Sequence, residues 1–150
     1  MSNWTSITPT AVRTAKNTAI LDQVQSLASE RGEADPLPTI VATVVSRIRA
    51  AVSAGNQLDV DATKIPNSLE GLALGMIVRK LKDYLEIEQT KFESDQAADD
   101  RSYLNRIVDA RLKFETPDTA GGSAEMSSPP IVQTVQEGSS GNSREDLKGL

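Results

Sequence analysis

Residues 36–52, PLPTIVATVVSRIRAAV, are the stretch that decides the fold of this 150-residue chain. Their large apolar side chains recur every three or four residues, which is the period of one face of an α-helix. Arg47 and Arg49 lie off that face. The stretch therefore predicts a helix with one buried side over four turns, and the apolar positions of that side are Leu37, Val41, Val44, Val45, Ile48 and Val52.

A helical stretch precedes this one. Thr8 is a suitable N-cap, and Pro9 fits the first helical position because its fixed φ suits a helix start and it needs no partner for an N–H. The pattern continues to about Arg31, and the pair at 17–18 could divide it into a short and a longer helix. Gly32 can adopt the left-handed conformation that ends many helices.

Two helical stretches follow. One opens at 65–68 and continues to Leu85, and the other begins at about Asp99 and ends before Pro117, which cannot continue a helix. Between them, residues 86–100 are highly charged and predict a loop or a solvated helical turn. The sequence thus predicts an all-α fold, a small bundle of four to five helices.

The character of the sequence changes at Thr116. From there to Leu150 it is rich in Gly, Ser and Pro and has too few apolar side chains for a core of its own. We therefore predict a helical body over residues 1–115 and an extended C-terminal arm over 116–150.

One segment of the arm is apolar and has high β propensity. It could form a short β segment by adding to an exposed sheet edge of a partner, or it could fold back onto its own body. The predicted docking residues of this segment are Pro129, Pro130, Ile131, Val132 and Val135.

The composition excludes several classes of chemistry. The chain has no Cys and no His, which removes thiolate nucleophiles, Cys/His zinc sites, imidazole catalysis and disulfides. Its net charge of −5 argues against a general nucleic-acid-binding protein. We find no signal-peptide pattern and no apolar run long enough to span a bilayer, so the sequence predicts a soluble protein without a membrane partner.

Acidic residues are the remaining candidates for chemistry. Asp59 and Asp61 form a D-x-D pair that could hold a hard cation, but the glycine and distal glutamate of an EF-hand loop do not follow. The acidic run over residues 86–100 has no adjacent nucleophile or base. A turn for the pair and a solvated face for the run are the better interpretations, so we predict no catalytic residue, no metal site and no cofactor.

Two sets of residues are candidates for helix packing or for an interface. Gly71 and Gly75 are spaced four apart, which gives one nearly flat helix face suited to tight packing against a neighbouring helix. Arg79 begins a basic patch, and Arg101 and Arg106 belong to a second set that does not share one helical face. We predict surface ion pairs or interface contacts for these arginines.

The body resembles the head–tail connector proteins of tailed bacteriophages, also called head-completion or adaptor proteins. The likeness rests on Ile65-Pro66-Asn67-Ser68-Leu69 leading into the helix that ends at Leu85, and on residues 101–112, RSYLNRIVDARL, followed by Pro117. Trp4 and the early helices are also similar. The resemblance covers residues 4–117 and includes no catalytic signature.

The resemblance implies a structural subunit, not an enzyme, that assembles into a ring of usually twelve copies beneath the portal protein. Its expected partners are the portal, neighbouring copies of itself and a downstream neck or tail protein, while double-stranded DNA passes through without specific binding. It would be assembled in the host cytoplasm and reside in the neck of the virion. The alternative is a monomeric helical binding module whose tail recruits one partner protein.

Overall fold

The structure is a computed structural model of the chain, and it describes residues 2–15 and 18–119. Helices dominate these residues, which confirms the predicted all-α class. In chain order the elements are β1 (Trp4–Ser6), α1 (Pro9–Ala15), α2 (Thr18–Glu30), α3 (Leu37–Val52), β2 (Lys64–Pro66), a 3-10 turn (Asn67–Leu69), α4 (Glu70–Tyr84) and α5 (Lys91–Asp109).

Helix α3 is the centre of the core. It packs against α1, α4 and α5, and α2 covers another side of α4. All six predicted stripe residues are buried, and Val44 and Ile48 are completely inaccessible. Each fully buried aliphatic side chain contributes roughly 1.5–3 kcal/mol through removal of apolar surface from water. The apolar face of this one helix therefore organises the bundle.

A two-stranded antiparallel sheet joins the N-terminus to the start of α4, and the sequence patterns did not predict it. Trp4 pairs with Pro66, and Ser6 pairs with Lys64. The second strand lies where the sequence predicts a helix start at 65–68. Both strands are only three residues long, too short for the period-two alternation that identifies a strand.

Helix α5 begins at Lys91, well before the predicted start near Asp99, so residues 91–100 follow the solvated helical alternative and the loop alternative fails there. The Thr90 hydroxyl accepts a hydrogen bond from the Glu93 N–H, and the Glu93 carboxylate accepts one from the Thr90 N–H. This reciprocal capping box satisfies two backbone donors that a helix start would otherwise leave unpaired. The T-x-x-E pattern at 90–93 was the sequence signal for the true start.

Two glycines shape the ends of helices. Gly32 has a φ of +72°, and the Glu33 N–H bonds back to the Ala28 carbonyl, which confirms the predicted left-handed termination of α2. Gly55 lies after α3, where an added Cβ would come within 2.8 Å of the Arg111 carbonyl oxygen. Only glycine permits this close approach between the end of α3 and the segment that follows α5.

Candidate docking surface

An apolar groove of about 580 Å³ lies beside α3. One wall is the outward side of α3, the second is the turn from β1 into α1, and the third is the loop that leads to β2. The side chains that define these walls include Ile7, Pro9, Val41, Ala42, Val45, Leu58 and Ala62. A concave apolar surface of this kind is suited to receive an apolar side chain or segment.

The one charged residue among those that line the groove is Arg49, which is partly buried. Its guanidinium donates to the carbonyls of Asp59 (2.7 Å), Asp61 (2.9 Å) and Lys64 (2.6 Å). Arg49 therefore fixes the loop that forms the third wall, and the other residues that line the groove carry no charge.

The uncharged surface continues along α3 beyond the groove. Pro38, Thr39, Ala42, Thr43 and Ser46 are all exposed and line a shallow depression next to it. Charged residues make up 25% of the chain, so an exposed helix face without one over more than two turns is a distinct local feature. Depletion of charge is the compositional mark of the centre of a protein–protein interface.

The D-x-D pair closes turns in the wall of this groove. Asp59 is buried, and its carboxylate accepts hydrogen bonds from the backbone N–H groups of Asp61 (2.9 Å) and Thr119 (3.0 Å). Asp61 accepts from the N–H and the hydroxyl of Thr63, and the backbone hydrogen bond is the main reason that the pKa of Asp61 lies below its usual value. The turn-forming interpretation is confirmed.

The last described residues are bound to the N-terminus and to β2 through the side chain of Asp118. Asp118 accepts hydrogen bonds from the Ser2 hydroxyl and from the N–H groups of Asn3 (2.8 Å) and Trp4 (3.3 Å), and it lies 3.6 Å from the Lys64 ammonium. The Ser2 hydroxyl and then the Asn3 N–H lower the pKa of Asp118 to about 2. The body thus continues past the predicted break at Thr116 and runs through Thr119.

The residue where the C-terminal arm leaves the described part of the chain, Thr119, is likewise hydrogen-bonded to the body. The N–H of Val60 donates to the Thr119 carbonyl at 3.0 Å, and Val60 lies in the loop that forms the third wall of the groove. The predicted docking residues of the arm, from Pro129 to Val135, lie outside the described residues.

The two glycines of α4 do not pack as predicted. A Cβ added at Gly71 would meet nothing within 4 Å, and one at Gly75 would meet only the Arg79 side chain of the same helix at 3.5 Å. The prediction of tight packing against another helix of this body was wrong, because the glycine face borders a second cavity of about 330 Å³ between α1, α2, α4 and α5. A role for these glycines in a ring interface stays a prediction.

The three predicted arginines occupy different environments. Arg79 is only 9% exposed and forms an ion pair with Asp100 that joins α4 to α5. Arg101 is exposed on α5, and Arg106 places its guanidinium 5.9 Å from the centre of the Tyr103 ring. The structure therefore brings Arg79 and Arg101 to neighbouring positions but places Arg106 elsewhere.

The acidic run supplies structural partners. Glu93 forms an ion pair with Lys82 of α4, and that ammonium together with the Thr90 N–H lowers the pKa of Glu93 to about 2. Asp100 pairs with Arg79 two turns further along. Two acidic residues thus fasten the first half of α5 to α4, while most of their neighbours face solvent as predicted.

Within residues 2–15 and 18–119 we find no group of three or more acidic side chains placed to hold a metal ion. No helix in that part of the chain combines the length and the apolar character needed to cross a membrane. No protein-family model, curated protein or solved structure matches the chain.

Proposed function

We propose that this chain is a structural subunit of a bacteriophage head–tail connector. In this proposal it forms a ring beneath the portal, extends the DNA channel and provides the platform for the next neck or tail protein. The observation that carries the docking role is the apolar groove beside α3, because a concave surface of this kind is suited to receive an apolar side chain or segment. The connector assignment itself rests on the sequence resemblance.

The contacts of Asp118 and Thr119, where the arm begins, support separate roles for the body and for the arm. Hydrogen bonds hold Asp118 against residues 2–4 and hold Thr119 against Asp59 and Val60 of the loop before β2. Residues 126–136 then run for eleven positions without a charge. In the proposed connector the helical body forms the ring, and this segment fastens it to a partner by adding a strand to an exposed sheet edge.

Two variants of the full chain test the docking role. Ala42→Asp places a charge in the apolar groove, and an exposed carboxylate there should block a partner while leaving the helical body folded. Ile131→Asp combined with Val135→Asp removes the apolar character of the arm. Size-exclusion chromatography with light scattering, alone and with the cognate portal, should show weaker assembly for both.

Ala98→Asp is the matched control, because Ala98 is an exposed alanine on α5 away from the groove. It should assemble like the unmodified chain, and circular dichroism should report equal helicity for all variants. Assembly of Ala42→Asp at the unmodified level would reject the groove as a docking surface. Loss of helicity in the arm variant would instead favour an arm that folds back onto its own body.

The apolar groove also suits the second candidate, a monomeric binding module that recruits one partner. The two proposals differ in stoichiometry. A connector subunit gives a closed homo-oligomer that contains many copies, whereas a recruitment module gives a one-to-one complex. The mass of the purified complex distinguishes them.

A further inference from the structure

Three cationic side chains from three different helices meet at a small cavity on the side of α3 that faces α4 and α5. Arg47 comes from α3, Lys80 from α4 and Arg101 from α5, and all three are exposed. The cavity has a volume of about 180 Å³, and Met76 and Leu104 form a buried apolar floor. Residues far apart in sequence therefore concentrate positive charge at one point of a chain whose net charge is −5.

The acidic residues at this cavity already have partners. Asp100 forms its ion pair with Arg79, and Asp83 accepts a hydrogen bond from the Gln89 amide at 2.6 Å. Arg47, Lys80 and Arg101 form no ion pair or side-chain hydrogen bond with any described residue. With the Arg79–Asp100 pair set aside, three cations and one carboxylate, Asp83, line the cavity, which leaves an excess of positive charge there.

We propose that this cavity binds a phosphate-type oxyanion, with Arg47, Lys80 and Arg101 as its ligands. Two guanidinium groups can each donate two parallel hydrogen bonds to the oxygens of a phosphate, and the ammonium adds a compact point charge. The volume corresponds to roughly six water molecules at ~30 Å³ each, which suits one phosphate group with a few waters.

The phosphate group could belong to a free anion or to the backbone of double-stranded DNA, and both present the same oxygens. A backbone contact would depend steeply on salt, because each neutralised phosphate releases condensed counterions. The oxyanion site does not depend on the connector proposal. A protein that never assembles into a ring would still bind phosphate here.

Titration of the full chain with inorganic phosphate tests the site directly. Isothermal titration calorimetry at constant ionic strength, with chloride as the reference anion, should give a saturable one-to-one isotherm. The double variant Lys80→Gln with Arg101→Gln should weaken binding at least tenfold, because it removes two of the three charges. Both side chains are exposed, so the fold should be retained.

Lys91→Gln is the matched control, since Lys91 lies on α5 outside the cavity and is highly exposed. It removes one charge of the same kind and should leave phosphate affinity unchanged. A parallel titration with a blunt DNA duplex, followed by fluorescence anisotropy, distinguishes the two sources. DNA binding that falls in the double variant but not in the control identifies backbone phosphates, and phosphate binding without DNA binding identifies a free anion.

Two results would overturn the inference. One is the absence of any saturable response to phosphate and to DNA. The other is an equal loss in Lys91→Gln and in the double variant, which would show that net charge alone controls binding.

Discussion

Helices α3 and α5 are held in the same body by different forces. Helix α3 buries seven residues, all apolar, whereas the longer α5 buries only Leu104 and Ile107, both in its second half. The first half of α5 is held by its capping box and by ion pairs from Glu93 and Asp100 to α4. Apolar periodicity in the sequence therefore identifies α3 and misses where α5 starts.

The largest effect is expected from a charge placed in the buried face of α3. Val44→Asp should unfold the body, because an unpaired carboxylate at a completely inaccessible site costs several kcal/mol. That cost is a large share of the 5–15 kcal/mol of a typical domain. Circular dichroism should show loss of helicity, whereas Thr43→Asp on the exposed side of α3 should remain folded. A folded Val44→Asp chain would contradict the central position of α3.

A smaller effect is expected where α5 is fastened to α4. Asp100→Asn leaves the nearly buried Arg79 without its counter-charge and should lower the free energy of unfolding by about 2 kcal/mol. Urea denaturation measures this change. Asp95→Asn removes an exposed partner of Lys91 on the same helix and should cost less than about 0.5 kcal/mol. Equal costs would show that the Arg79–Asp100 pair has no special role.

The N-terminal cap of α5 should contribute about half as much to the free energy of unfolding as the Arg79–Asp100 pair. Thr90→Ala removes the side-chain acceptor for the Glu93 N–H and should cost about 1 kcal/mol. Hydrogen exchange should show the loss of protection in the first turns of α5, with α3 unaffected. Ser94→Ala, an exposed position one turn further along, is the control and should not reduce protection. Faster exchange throughout both helices would mean that the cap supports the whole bundle.

As the pH falls, the start of α5 should lose hydrogen-exchange protection before α3 does. The folded-state pKa of Glu93 is lowered from 4.5 to about 2 by its hydrogen bonds to Lys82 and Thr90. A depressed carboxylate pKa stabilises the fold above pH 4.5, and that contribution is lost as the pH falls towards 2. Hydrogen exchange over this range should show earlier loss of protection at the start of α5, and Glu93→Gln should remove most of the difference. Simultaneous loss of hydrogen-exchange protection in α3 and α5 would contradict the conclusion that different forces hold these two helices.

The sequence predicted the parts of the fold that depend on apolar periodicity and on helix-end chemistry. The buried stripe of α3, the start of α1 after Thr8 and the left-handed end of α2 at Gly32 are confirmed. The β1–β2 pairing was not predicted, because its partners are about sixty residues apart and each strand is very short. The pairing of these two distant segments, and not their local sequence, determines that they form strands.

The candidate surfaces were much less predictable. The groove combines the turn into α1, the outward side of α3 and the loop before β2, and none of these carries a motif by itself. The cationic cavity likewise depends on Arg47, Lys80 and Arg101 coming together from three helices. The sequence pattern identified Arg79 and Arg101 as candidates in two separate basic sets, but it could not show that Arg47 lies beside them.

The central proposal, a connector subunit that docks through its groove and its arm, is tested most directly by the mass of the full chain mixed with its cognate portal. Native mass spectrometry should detect a closed complex of the portal with a ring of this chain. Truncation after Thr119, which keeps the residues bonded to the body and removes the rest of the arm, should weaken that complex. A chain that remains strictly monomeric beside the portal, with no effect of the truncation, would contradict the account.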